Sequence, residues 1–170
     1  ETKDEPKVIT NATPKNLRSS GGVIVDGEAG CMVKFAKCCN PLPGDSIIGF
    51  VTRGFGVSIH KSDCPNAVTG RINPDQAGRW VEAHWESDGN AGGLYQAKIS
   101  VCCENRIGML ADITMAIGEM KVSILQLTTQ MLPDEVCMMN LVVGCKNVEH
   151  YASIVARLRS VPGVLDIKRG

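Results

Sequence analysis

From residue 95 onward, apolar and polar positions keep a regular period. Ala97, Ile99, Val101 and Cys103 alternate with their neighbours, as in a strand with one buried face. Leu110, Ile113 and Ile117 then recur at i, i+3 and i+7, which predicts one apolar stripe of a helix. Residues 122–130 return to a strand-like pattern, Pro133-Asp134 predicts a hairpin turn, and residues 136–144 form the return strand. Tyr151, Ile154, Val155 and Leu158 mark a second helix, with Asn147 as its N-cap. Pro162-Gly163 ends that helix before a last strand over 164–168. The order β-α-β-β-α-β is the split unit of the ferredoxin-like fold.

The first half is less regular. Residues 1–20 mix prolines with polar side chains and read as a linker or fraying tail. Val23-Ile24-Val25, closed by Asp26-Gly27, reads as a strand, and Val33 and Phe35 alternate around Lys34. Cys38-Cys39-Asn40-Pro41-Leu42-Pro43-Gly44-Asp45 is a rigid turn, because its prolines fix φ. Residues 47–51 and 57–60 predict two strands in hairpin relation around Arg53-Gly54-Phe55-Gly56. Ser62 and Asp63 are the expected caps of a short helix that opens at Cys64-Pro65 and ends near Ala67. The alternation over 80–85 suits one more strand, and the glycine-rich stretch 87–93 is a natural boundary. The expected organisation is α+β: a tail over 1–20, a small metal-binding ββα-type domain over 21–86, a linker over 87–94 and a βαββαβ domain over 95–170.

Composition narrows the function classes. The 170 residues are 44% hydrophobic and 21% charged, enough apolar material for packed cores. Formal net charge is zero, so any contact with nucleic acid or membrane must come from a local patch. Residues 31–64 offer one of net +2, from Lys34, Lys37, Arg53 and Lys61 against Asp45 and Asp63. No apolar run approaches the ~20 residues of a membrane span, and the polar, acidic first residues are unlike a signal peptide, so the expectation is a soluble, cytoplasmic chain. The eight cysteines accompany segments able to form a core, which favours reduced thiols over a disulfide framework.

Four of those thiol and imidazole groups stand apart. Cys38-Cys39, then His60-x-x-x-Cys64, place four soft ligands in two clusters, the donor set that zinc takes in structural sites. His60 would end a strand and Cys64 open a helix one turn later. Adjacent strand residues point to opposite faces, so Cys38 and Cys39 both ligate only if the chain turns at Asn40-Pro41; otherwise Cys31 is the substitute. Taken singly, His60 would also suit a satisfied core histidine, and Cys38 or Cys39 a buried small hydrophobe. Cys102, Cys103, Cys137 and Cys145 fall inside apolar strands and read as packing. No general base accompanies the cluster, so a catalytic zinc is not implied.

The segments Val33-Lys34-Phe35-Ala36-Lys37-Cys38-Cys39-Asn40-Pro41-Leu42-Pro43-Gly44-Asp45 and Gly49-Phe50-Val51-Thr52-Arg53-Gly54-Phe55-Gly56-Val57-Ser58-Ile59-His60-Lys61-Ser62-Asp63-Cys64-Pro65-Asn66 closely resemble the zinc-finger (ribosome-intersubunit) domain of long Rel/SpoT enzymes, which make and degrade (p)ppGpp. The second half resembles the ACT domain that follows it in those proteins. Nothing in the chain resembles the hydrolase or synthetase domains. The resemblance therefore implies a non-catalytic C-terminal regulatory module of a stringent-response enzyme. It also implies structural Zn2+ on Cys38, Cys39, His60 and Cys64, contact with ribosomal RNA and A-site tRNA, and a homodimer through the ACT domain.

ACT domains bind small effectors where the first strand meets the first helix. That loop is Glu104-Asn105-Arg106-Ile107-Gly108-Met109-Leu110. Amides at a helix N-terminus favour a carboxylate, and Gly108 permits close backbone approach. Asn105 or Asp112 would take an ammonium group, and Ile107, Met109, Ile124 and Leu125 a branched side chain such as that of valine or isoleucine. Two other classes compete. An enzyme in its own right lacks a catalytic set, since His84 and His150 are isolated. An ACT-containing regulator of amino-acid metabolism leaves the Cys-Cys…His-x-x-x-Cys segment without a place.

Overall fold

The computed structural model describes residues 16–18, 21–26, 32–86 and 93–170. The predicted tail, the substitute ligand Cys31 and the glycine-rich boundary lie wholly or largely outside them. One part of the tail is described, and it is a strand: β1 (Asn16–Arg18) pairs antiparallel with β2 (Val23–Asp26). Then follow β3 (Val33–Phe35), β4 (Ile47–Val51), β5 (Val57–Lys61), α1 (Pro65–Ile72) and β6 (Trp80–Trp85). The second half runs β7 (Tyr95–Glu104), α2 (Met109–Glu119), β8 (Ile124–Leu132), β9 (Val136–Cys145), α3 (Val148–Arg159) and β10 (Val164–Arg169).

The first half is larger than a ββα unit. β4, β5 and α1 do follow one another, but β4 and β5 sit inside a six-stranded sheet of order β1-β2-β6-β4-β5-β3. The reason is burial. Val23 and Val25 on β2 and Ala83 on β6 pack with Ile47, Val57 and Ile59, so the hairpin cannot hide its apolar face alone. β3 runs parallel to β5, with Phe35 beside Ile59. Gly56, at φ +83°, lies so close to β3 that a Cβ there would come within 2.0 Å of the Met32 carbonyl oxygen.

The second half has the expected βαββαβ order, with an antiparallel sheet β10-β7-β9-β8. Asp134 and Glu135 both take positive φ, turning the β8–β9 hairpin as Pro133-Asp134 suggested. The buried stripe of α2 is Met109, Ile113, Ala116 and Ile117; Leu110 stays outside. Helix α3 buries Tyr151, Ile154 and Leu158, and the Asn147 side chain accepts the His150 amide as its cap. One member of this core comes from the other half: Leu42, wholly buried, packs with the apolar residues of the four-stranded sheet and its helices.

That intrusion joins the halves. The Val148 amide donates to the Pro43 carbonyl (3.0 Å), and Lys98 Nζ donates to the Lys37 carbonyl (3.0 Å). Arg169 grips Asp45 through both terminal guanidinium nitrogens, Nη1 and Nη2, at 2.9 and 2.6 Å. Phe35, Trp85 and Tyr95 form a mutual aromatic cluster across the same seam, with ring centroids 5.3–5.7 Å apart.

Candidate metal centre and effector loop

Cys38, Cys39, His60 and Cys64 converge, their ligand atoms all within 4.8 Å of one another. Each position has a local cause. Residues 37–39 form a turn in which the Asn40 amide donates to the Ala36 carbonyl (2.9 Å), and Asn40 takes φ +41°. This turn lets adjacent cysteines face one point. Asn itself accepts the left-handed conformation better than most residues. His60 lies on β5, where the ladder fixes its direction, and Cys64 stands at the N-cap of α1, with Pro65 at the first helical position.

The predicted caps play no such part. Ser62 Oγ meets Ser46 Oγ at 3.0 Å, and Asp63 pairs with Lys61 at 3.2 Å. The helix also runs on to Ile72 rather than stopping near Ala67. Gly70 permits this, because its missing side chain leaves room for the Trp80 ring, which a Cβ would meet at 2.6 Å.

The separations suit one ion. Cys38 Sγ lies 3.4 Å from His60 Nδ1, 3.6 Å from Cys64 Sγ and 3.9 Å from Cys39 Sγ; Cys39 Sγ lies 3.9 Å from His60 Nδ1. Thiolates at about 2.3 Å from a tetrahedral ion stand about 3.8 Å from each other. The Lys61 amide donates to Cys39 Sγ at 3.3 Å, an arrangement that favours the thiolate. His60 presents Nδ1 to the cysteines, while Nε2 lies 3.5 Å from Ser58 Oγ and the ring meets Trp80 edge-on at 5.5 Å.

Electrostatics divide the cluster. Burial pushes the Cys39 thiol up to about 12, against which the Lys61 amide pulls the other way. Burial also raises Cys64, but the amides of Ala67 and Asn66 and the neighbouring thiols outweigh it, so its net shift is downward. Burial lowers His60, which keeps the imidazole neutral and able to donate a lone pair. A cation would add what the cluster lacks, a positive charge to hold three thiolates together.

The effector-loop residues do not form one site within a chain. Gly108 has the expected positive φ (+85°) at the N-cap of α2, and Asn105 is exposed. Ile107 projects fully into solvent, whereas Met109 is 2% exposed and belongs to the core. Arg106 Nη2 pairs with Asp112 at 2.6 Å and donates to the Pro162 carbonyl at 2.8 Å, so Asp112 already faces a cation. Ile124 and Leu125 begin β8 at the other end of the sheet. Ile124 registers with Val143 and so with Ala97, while the loop follows Glu104. The seven steps of strand from 97 to 104 span about 23 Å at roughly 3.3 Å each. Sequence reasoning missed the supports around the metal cluster, namely Ser58, Gly70, Trp80 and the Lys61 amide. A glycine inside an otherwise helical run was the one visible sign.

A six-stranded α+β unit bearing a Cys3His cluster, joined to a βαββαβ unit, is the class that these observations define. Among families of known proteins, residues 23–86 match the RelA/SpoT RIS domain and residues 91–169 the ACT domain. The chain belongs to the RelA/SpoT family, of which it carries these two domains. It is 36% identical over 158 residues to the bifunctional (p)ppGpp synthase/hydrolase RelA of Mycobacterium tuberculosis, covering 92% of this chain and 21% of that protein. To the GTP pyrophosphokinase of Escherichia coli K12 it is 31% identical over 159 residues, again 92% of this chain and 21% of the relative. The chain thus spans about a fifth of the length of these curated relatives. Among solved structures, the ACT domain from the GTP pyrophosphokinase of Chlorobium tepidum matches 45% of this chain and 99% of its own, at 26% identity and a TM-score of 0.41. No helix among the described residues is long and apolar enough to cross a membrane.

Proposed function

We propose that this chain is the C-terminal regulatory module of a cytoplasmic stringent-response enzyme that makes and degrades (p)ppGpp, with its RIS domain built on a structural zinc. The carrying observation is the convergence of Cys38, Cys39, His60 and Cys64 inside the residues that match the RIS domain. Three sulfurs and one imidazole in tetrahedral spacing suit zinc among the common divalent ions. All four positions are filled by protein, as in a structural site. Zinc, when bound, would supply a cross-link between the 37–39 turn, the end of β5 and the start of α1. The residues do the rest: Lys61 N–H orients Cys39, and Trp80 and Ser58 orient His60.

Through this domain the module would sense ribosomal RNA and A-site tRNA. In support stand the exposed Phe55 with Lys34 Nζ over its ring at 4.8 Å and Arg53 in the same turn, a cationic and aromatic surface that suits a polyanion with stacked bases. Through the ACT domain it would take a small amino acid, valine or isoleucine, at the Asn105–Leu110 loop. A homodimer through that domain would let Ile124 and Leu125 of a second copy approach the loop. The free edge of β8, with Leu125 and Met131 exposed, supports the dimer.

The test joins metal analysis to co-sedimentation. Chain purified without chelator should carry one zinc and pellet with ribosomes holding deacylated tRNA in the A site, and Cys64→Ser should lose both properties. Zinc-free, folded protein, or ribosome binding indifferent to Cys64→Ser, would refute the reading. Calorimetry should show saturable heat with valine and isoleucine and a weaker response to alanine. No heat up to millimolar levels would reduce the loop to a helix cap.

A further inference from the structure

We infer that Arg169, on the last strand of the ACT sheet, is a positioning residue for the metal-bearing turn of the RIS domain, so that ion binding in one domain and docking of the other are a single coupled equilibrium. The inference rests on the metal reading of Cys38, Cys39, His60 and Cys64.

The turn that presents Cys38 and Cys39 does not end within its own domain. Its continuation, Asn40 to Asp45, crosses to the ACT core. Asn40 is buried in a left-handed conformation, its side chain donating to the Lys37 carbonyl at 3.3 Å. Its own carbonyl, one residue after Cys39, accepts from Arg169 Nη2 at 3.2 Å. The same guanidinium forks onto both oxygens of Asp45, and Asp45 Oδ2 takes the Leu42 amide at 2.8 Å. Both ends of the 40–45 segment are therefore fixed by one side chain from the other domain.

Arg169 is itself held. Its guanidinium lies 5.1 Å from the Tyr151 ring centroid, and β10 carries it in register with Ile99 of β7. Arg169 and Gly170 share a cleft of about 250 Å³ with Cys38, Cys39, Lys61 and Cys64. Asp45 neutralises the guanidinium, so Arg169 acts by fixing backbone rather than by the field of a free charge. Lysine has a point charge without the planar fork and cannot make all three contacts.

If Arg169 stiffens the turn for the ion, the ion must stiffen the turn for Arg169 by the same factor. Supporting groups around metal ligands are typically worth about 10–100-fold in affinity. The test uses the 170-residue chain. Zinc affinity would be measured by chelator competition, the ligand field by cobalt substitution, and amide exchange with and without zinc. Arg169→Gln should bind zinc about tenfold or more weakly while folded, with an altered cobalt absorption spectrum. Arg169→Lys should recover little of the loss, and Asp45→Asn, which spoils the fork from the other side, should reproduce it.

In the wild-type chain, zinc should increase protection of the Val148 amide, which bonds Pro43 across the seam, and leave β8 amides unchanged. This last measurement needs no variant, so the proposal stays testable if Arg169→Gln fails to fold. A folded Arg169→Gln with wild-type affinity and an unchanged cobalt spectrum would overturn the coupling, as would zinc-independent protection at Val148. Should the wild-type chain take up neither zinc nor cobalt, the metal reading falls first and the coupling with it.

Discussion

Leu42→Ala tests whether the two domains share a core. Leu42 lies in the residues that match the RIS domain, yet it is 0% exposed and belongs to the same buried cluster as Ile99, Val101, Tyr151 and Ile154 of the ACT domain. Comparable Leu→Ala cavities cost about 2.7–5.0 kcal/mol, the larger values where the surroundings cannot collapse. Pro41 and Pro43 restrict the backbone on either side, and the Asp45 carboxylate holds the Leu42 amide, so relaxation is limited here. About 3–4 kcal/mol is expected, which for a chain of this size lowers the midpoint by about 6–16 °C. Two probes separate the domains. Trp80 and Trp85 are the only tryptophans, Trp80 within the RIS half and Trp85 in the seam against Tyr95, whereas circular dichroism at 222 nm is dominated by α2 and α3 of the ACT half. In Leu42→Ala the helix signal should shift by that full amount. If only tryptophan fluorescence moved and the helix transition stayed within about 0.5 kcal/mol of wild type, Leu42 would be a local RIS residue and the shared core would be wrong.

Three further outcomes follow from the same contacts. Gly70→Val should destabilise the RIS domain by about 1–3 kcal/mol and alter Trp80 fluorescence, since the new side chain meets the indole ring at once; an unchanged denaturation midpoint would refute the packing. In metal-free chain, stability should fall as pH drops below about 6.5, because burial depresses His60 in the folded state and only the unfolded state gains the proton readily; pH titration of the urea midpoint, with His60→Gln flattening the slope, checks this. At alkaline pH the sign reverses. Cys103 and Tyr151, held at about 11 and 12 in the fold, stay protonated while their unfolded counterparts ionise from about 9 and 10, so stability should decline above pH 9, and a flat profile to pH 11 would contradict their burial.

Periodicity disclosed most of the ACT domain because each of its elements buries one face of its own, and Asn147, Pro133 and Pro162 act within a few residues of their positions. The α2 stripe was misplaced by one residue for a physical reason: Met109 and Leu110 are equally apolar, and only the turn set by Gly108 decides which faces inward. The RIS domain was less legible. Its strands β3 and β6 acquire partners far along the chain, and nothing local announces that β6 pairs with both β2 and β4. The four clustered ligands were visible because soft donors are rare and their spacing is unusual. Arg169 was not, since a basic residue at the end of a strand looks like any solvated charge until Asp45, 124 residues earlier, is placed beside it.

The two candidate sites lie at opposite ends of the same two strands. β7 begins at Tyr95, in the aromatic seam with Phe35 and Trp85, and ends at Glu104, where the effector loop starts. β10 follows at Gly163, whose carbonyl takes the Glu104 amide, with Arg106 bound to the adjacent Pro162 carbonyl. It finishes at Arg169, which holds the turn behind Cys38 and Cys39. A molecule at the loop therefore has no direct contact with the metal-bearing turn. Any influence of such a molecule on the RIS domain would have to pass through the pairing of β7 with β10 and the core beneath them. Sheet ladders transmit little by bending, because their hydrogen bonds and close-packed side chains resist gradual deformation. They can transmit by shifting as a unit between two docked positions, provided the ligand favours one of them. Arg106, bonded both to Asp112 and to the Pro162 carbonyl, would be the group to make that difference. A carboxylate ligand that drew it from Asp112 would also weaken its bond to the Pro162 carbonyl, two residues before β10 begins.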